Sequence, residues 1–286
     1  MTATATPARL RAAAISTFVV FGINGLVFAS WAARIPAVTE TLNLTPGQMG
    51  GLLLCLALGS LIALPTAGYI TERIGAANTV RVAGLLAALA GVGIALSLSA
   101  ATTFGTAVSL FVFGIGIGLW DVAINIEGAD VEHKLGRTIM PQLHAAFSGG
   151  AFLGAIIGAG LANLGVGLPA HLFVIAVVVA VATQWLPRYF VPRIPESSQP
   201  KEDEAPPKAR SAWNDRRTLL IGVVVLGATL TEGAGNDWIA KAAVDGLEVT
   251  EANGAFMFAT FVLAMTGMRF FGGRAIDAFG RVPVLR

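Results

Sequence analysis

The chain has 286 residues, 55% of them apolar and 13% charged, with a mean hydropathy of +0.73 and a net charge of +2. This is far more apolar than a water-soluble domain of that length, so the composition excludes a single soluble globule and indicates a polytopic membrane protein. The basic residues are dispersed among short loops, which argues against a nucleic-acid partner, and Cys55 is the lone cysteine, so no intrachain disulfide can form.

Mostly uncharged runs of about 18 residues or more are long enough to cross about 30 Å of hydrocarbon. They predict eight helical spans, at 12–32, 48–70, 80–99, 105–127, 143–164, 168–187, 218–238 and 252–273. The first, preceded by Arg9 and Arg11 and ending in small residues near Ala29, has the outline of a secretory signal. Its apolar run is too long for one and seven spans follow, so it reads as a retained helix. Most of the 34 glycines lie inside the spans, as packing positions where helix backbones approach closely; Gly150, Gly154 and Gly158 mark one such contact.

With the N-terminus inside, every Lys and Arg of the 19 falls on the cytoplasmic side except Arg34, Lys241 and the intraspan Arg269, so cationic asymmetry fixes the orientation. Between Val191 and Arg217 the chain turns polar, with five prolines and no apolar periodicity, as a cytoplasmic linker does. The expected plan is a six-helix bundle over 1–190, a linker over 191–217, and two helices of a second, incomplete bundle over 218–286.

A repeat supports this plan. Gly68, Glu72, Gly75 and Arg81 recur 205 positions on as Gly273, Asp277, Gly280 and Arg286, and LNLTPGQMGG from Leu42 meets LEVTEANGAF from Leu247 at the same offset. Two homologous halves follow, the first two spans answering to the seventh and eighth.

GYITERIG with Arg81, and GRAIDAFGR with Arg286, resemble the cytoplasmic GxxxDRxGRR loop between helices 2 and 3, and 8 and 9, of the major facilitator superfamily. The departures are Glu72 for Asp, Ala76 and Ala77 for basic residues, and Ala278 for the first Arg of the second copy. ASWAARIPAV, LWDVAINIEG, QLHAAFSGGAFLGA and TEGAGNDW look like the MosC-like subgroup, itself similar to the proton-coupled fucose permease branch. The resemblance covers the chain as far as helix 8 of a twelve-helix carrier and so implies truncation there. Helices 7 and 8 would then expose faces meant for helices 9–12, with lowered stability or association expected.

A carboxylate inside an apolar span costs about 2.5–3.5 kcal/mol on insertion scales, so Asp121 and Glu232 need a reason to be there. Each has an asparagine one turn on, Asn125 and Asn236, which puts an acceptor and an amide on one helix face, and Gly128 and Glu132 continue the stripe after Asn125. Such a carboxylate facing a wet cavity can take up and release a proton as its hydration changes. By the resemblance, Asp121 aligns with a helix 4 carboxylate implicated in proton coupling in the fucose branch, whereas the helix 1 carboxylate of that branch is absent here and Asn24 is the mid-span polar group. Trp31 and Trp238, each three residues before a cation, Arg34 or Lys241, read first as interfacial anchors. With His144 they are the further substrate-lining candidates.

The paired loops read as a cytoplasmic gate comprising Gly68, Glu72, Arg73, Gly75 and Arg81, with Gly273, Asp277, Gly280, Arg281 and Arg286. Gly68 and Gly273 would allow tight helix approach, and the acids would bond the positive end of a helix in the opposite bundle. In the superfamily the first acid faces helix 11 and the second faces helix 5. Asp277 is therefore expected to find a partner around Pro141 to His144, and Glu72 is not.

His144 and Ser148 lie one turn apart but lack a third, orienting group, and no HExxH, phosphate loop or cysteine–histidine metal spacing occurs. No enzyme, cofactor or metal is expected. The reading is a multi-pass cell-membrane carrier, N-terminus cytoplasmic, moving a small solute by alternating access, with sugar or polyol and proton symport foremost. Drug or metabolite efflux and a transport-incompetent membrane fragment or scaffold are the alternatives. The residues leave the solute, the coupling ion, the direction and the oligomeric state open.

Overall fold

The computed structural model describes residues 6–191, 215–279 and 283, with side chains through Met268 and at Phe271. In chain order the helices are α1 (Pro7–Ala32), α2 (Ile35–Thr41), α3 (Pro46–Ile74), α4 (Ala76–Ser99), α5 (Thr103–Leu135), α6 (Met140–Asn163), α7 (Leu168–Trp185), α8 (Arg216–Leu247) and α9 (Glu251–Phe279). A short 3₁₀ turn, Leu186–Tyr189, follows α7, and no strand occurs among the described residues. Seven segments within them are long and apolar enough to span a membrane. The eighth expected span falls on α9. The expected linker lies mostly outside the described residues, as do Gly280, Arg281 and Arg286 of the second gate copy.

The repeat is visible in the backbone, because α9 begins 205 positions after α3 does. The helices overrun the apolar spans: α5 continues from 127 to Leu135, and α8 from 238 to Leu247. Backbone hydrogen bonding continues past the hydrocarbon boundary until a specific stop intervenes, so hydropathy marks the apolar segment and not the helix end. The stops are readable. Gly136 takes a left-handed conformation (φ 63°) after α5, and Gly75 (φ 82°) separates α3 from α4. The starts are capped. Thr45 and Gln48 form a reciprocal capping box on α3, and Asp215 accepts from the amides of Arg217 and Thr218 on α8. Glu132, expected to extend the polar stripe of α5, instead bonds the amides of Ile139 (2.6 Å) and Met140 (2.8 Å) and caps α6.

Helix pairing follows the small residues. α1 packs chiefly on α6, α3 and α4 on α5, α4 on α7, and α9 on both α6 and α8. On α6, a Cβ at Gly150 would collide with the carbonyl of Gly22, and one at Gly154 would press on that of Leu26, so the expected close contact exists and its partner is α1. Gly59 and Gly114 do the same between α3 and α5, where Ser60 also donates to the Gly114 carbonyl at 3.0 Å. Since lipid is as apolar as a side chain, such close van der Waals approach supplies much of the driving force for association. Gly68 is a correction: nothing lies within 4 Å of where its Cβ would be, so it mediates no close approach among the described residues.

Because the connections are short, the helix ends gather at two faces of the bundle. One holds Arg34, the starts of α3 and α9 and the end of α8; the other holds Arg81, the start of α8 and the end of α5.

Candidate functional site

Midway between these faces α5 positions Asp121, half-buried. Asn125, one turn on, donates Nδ2 to the Asp121 carbonyl at 2.9 Å and reaches its Oδ1 at 3.5 Å, so the amide is oriented by the residue it accompanies. His144 of α6 lies within electrostatic reach of the carboxylate, and the Phe21 ring of α1 meets the His144 ring edge-on at 5.6 Å. Asp121 thus faces α6 through His144, which in turn meets α1 through Phe21. Asn24, one turn beyond Phe21, is buried to 1% exposure, and neither side-chain atom has a partner among the described residues. An unpaired buried amide is costly and marks a polar spot in an otherwise apolar wall. Glu232 and Asn236 stand half-buried on α8, which packs mainly on α9, and so belong to the other half. Ser148 donates to the His144 carbonyl at 3.2 Å, a helix-internal bond.

At the Arg81 end a cavity of about 280 Å³ is lined by Arg9, Thr71, Arg81, Glu127, Asp130 and Arg188, among others. Glu127, with 1% exposure, accepts the Val191 amide at 2.7 Å and ties the end of α7 to α5. Sequence reasoning passed over it, although an acid at the last position of an apolar span is itself a signal. The first gate copy divides here. Gly75 and Arg81 line the cavity, Arg81 donating to Asn78 (2.8 Å), whereas Glu72 and Arg73 are exposed, Arg73 lying over the Tyr69 ring at 4.9 Å. Glu72 makes no hydrogen bond or ion pair with any described residue. Gly273 and Asp277 lie on the part of α9 without described side chains, so the expected pairing of Asp277 with Pro141 to His144 falls outside the described residues.

The Arg34 end holds what the sequence did not reveal. Arg34, read as an outer-loop cation, is 2% exposed. Its Nε donates to Glu251 Oε1 in a short ion pair, and its Nη2 reaches Glu251 Oε2 at 3.5 Å and the Val166 carbonyl at 3.1 Å. His171 of α7, 2% exposed, lies within electrostatic reach of Arg34. Lys241, likewise read as a loop cation, sits within α8 at 6% exposure and pairs with Asp245 at 2.5 Å. The anchoring expectation for Trp31 is corrected too. It is 1% exposed, packed among small residues of α4 and α7 (Ala87, Ala88, Gly91, Ala176), because α1 is followed by α2 and not by an interfacial loop. Trp238 is half-buried, its ring 3.8 Å from the Cβ position of Gly50 at the start of α3.

Residues 3–139 match the family model of the Major Facilitator Superfamily. An uncharacterized transporter of Sinorhizobium fredii is 31% identical over 268 residues, covering 93% of this chain and 68% of that protein. The chain belongs to the major facilitator superfamily. An uncharacterized MFS-type transporter of Yersinia pestis is also 31% identical, over 95% of the chain and 68% of its own length. Membrane protein MosC of Rhizobium meliloti is 27% identical over 91% and 61%, respectively. Among solved structures, the nucleoside transporter NupG superposes with a TM-score of 0.68 at 12% identity, over 93% of this chain and 68% of that one, a likeness of fold. The relatives extend beyond the stretch matched here, and the family is one of membrane transporters.

Proposed function

We propose that the chain serves secondary active transport of a small polar solute, a sugar or polyol, by alternating access with a proton as coupling ion. The observation that carries the reading is the half-buried Asp121 of α5 with the Asn125 amide one turn on and His144 of α6 within electrostatic reach. A half-buried carboxylate there changes its proton affinity as water reaches or leaves it, and the adjacent Asn125 amide supplies a donor and an acceptor for hydroxyl groups. Glu232 and Asn236 present the same pair of groups from the second half, so a solute held between the halves would meet both sets. Trp31, buried in the first half, has no free face for stacking; Trp238, half-buried at the Arg34 end, and exposed His144 keep lining roles in this reading.

Cationic asymmetry supports a cytoplasmic N-terminus in the cell membrane, with the Arg34 end outside and the Arg81 end inside. The halves would be 1–190 and 218–286 joined by the linker 191–217, and Glu72 and Asp277 would act in the inner gate.

The test is uptake into proteoliposomes across a panel of labelled sugars and polyols, with and without an inward proton gradient. Gradient-driven accumulation of one of them is expected, and Asp121→Asn should abolish it while leaving exchange. Accumulation of lipophilic cations instead would replace the reading by efflux. Unaltered gradient-driven uptake in Asp121→Asn would remove Asp121 from the coupling role.

A further inference from the structure

We propose that Arg34 and Glu251 form the latch that holds the two halves together at the Arg34 end. The inference deepens the alternating-access reading and rests on it. Three observations carry it.

First, the pair joins the halves. Arg34 follows α1 and Glu251 opens α9, so separating the halves at this end must pull them apart. Second, the two partners are unequally held. Arg34 is anchored within its own half by the Val166 carbonyl and is nearly fully buried, whereas Glu251 retains 27% of its side-chain surface. Arg34 is the fixed receptor and Glu251 the movable bolt. Losing Glu251 would strand a buried guanidinium, so the latch cannot half-open without cost, and water entering as the end parts would be needed to stabilise the open form. Third, the device is one-sided. The repeat places Pro46 at the first position of α3 where α9 has Glu251, so the first half carries no matching acid at that register. Nearby, the Trp238 ring of the second half stands 3.8 Å from where a Cβ on Gly50 would be, and the pair Lys241 and Asp245 lies within α8 alone.

The test reads closure without transport. In a Cys55→Ser background, Gly50→Cys puts a Cβ 3.8 Å from the Trp238 ring, an ordinary contact, and the reaction rate of its thiol with a hydrophilic maleimide reports opening of this end. Glu251→Gln should speed labelling about tenfold or more, as loss of a partner to a buried charge implies, and Glu251→Lys should speed it further. Glu40→Gln, which removes an exposed charge of α2 at the same end, should leave the rate unchanged. Equal rates in all four proteins would overturn the latch, as would a Glu40→Gln rate matching that of Glu251→Gln. The labelling pattern can hold while no solute is accumulated, which would sink the transport reading and leave the latch standing; uptake with uniform labelling would do the reverse.

Discussion

The two ends of this molecule are built differently although the same helices run between them. At the Arg34 end the halves meet: α2 touches α8 and α9, Trp238 lies on Gly50, and Arg34 is bonded to Glu251. At the Arg81 end the first half is tied to itself, through Glu127 to Val191 and Gln184 to the Arg81 carbonyl at 2.9 Å, while residues 216–231 of α8 are exposed almost throughout. Among the described residues, the side-chain bond between the halves lies at the Arg34 end, and those of Glu127 and Gln184 at the Arg81 end lie within the first half. In the alternating-access reading this is a carrier held at the Arg34 end, and changing state means exchanging that pair for other contacts.

The sharpest way to break the comparison is to remove the carboxylate facing Arg34. Glu251→Gln should lower stability by about 3 kcal/mol, because a buried cation loses its charged partner, and thermal unfolding in detergent would register it. Next comes the α1–α6 contact, which keeps the first half rigid at both ends. Gly150→Leu forces a side chain into the Gly22 carbonyl and should cost about 1–3 kcal/mol, whereas Gly160→Leu on the same helix, with open space at its Cβ, should cost nothing measurable.

At the Arg81 end, Glu127→Leu leaves the Val191 amide without its acceptor and should cost about 1–3 kcal/mol. Its signature is faster hydrogen exchange at Val191, with labelling at position 50 unchanged, since the bond lies within one half. The smallest effect concerns the start of α8. The Thr218 hydroxyl, with the amide of Arg217, holds the Asp215 carboxyl below the usual carboxylate range. Its contribution is therefore fully present above an unfolded-state pKa of about 4 and is lost as pH falls through the lower folded value. Acidification should reduce exchange protection at Arg217 and Thr218, and Asp215→Asn should remove that pH dependence.

What was legible in the sequence is what is local. Apolar runs gave the helices, and the 205-residue offset between Pro46 and Glu251 paired the halves. Asp121 with Asn125 was legible because one helical turn separates them. Arg34 and Glu251 are 217 positions apart, and Glu127 and Val191 are 64 apart, so no periodicity joins them. Arg34 also looked like a loop cation because α2, a seven-residue helix, is too short to show a pattern. Gly68 shows the converse: among the described residues no backbone stands within 4 Å of its Cβ position.

The central claim is the asymmetry of the ends, and spin-label distances in a Cys55→Ser background test it most directly. One pair, Glu40 on α2 with Leu247 on α8, reports the Arg34 end; the other, Asn78 on α4 with Arg216 on α8, reports the Arg81 end. The account predicts a short, narrow distribution for the first pair and a longer, broader one for the second, with Glu251→Gln broadening only the first. Equal breadth at both ends, or a first pair indifferent to Glu251→Gln, would contradict it.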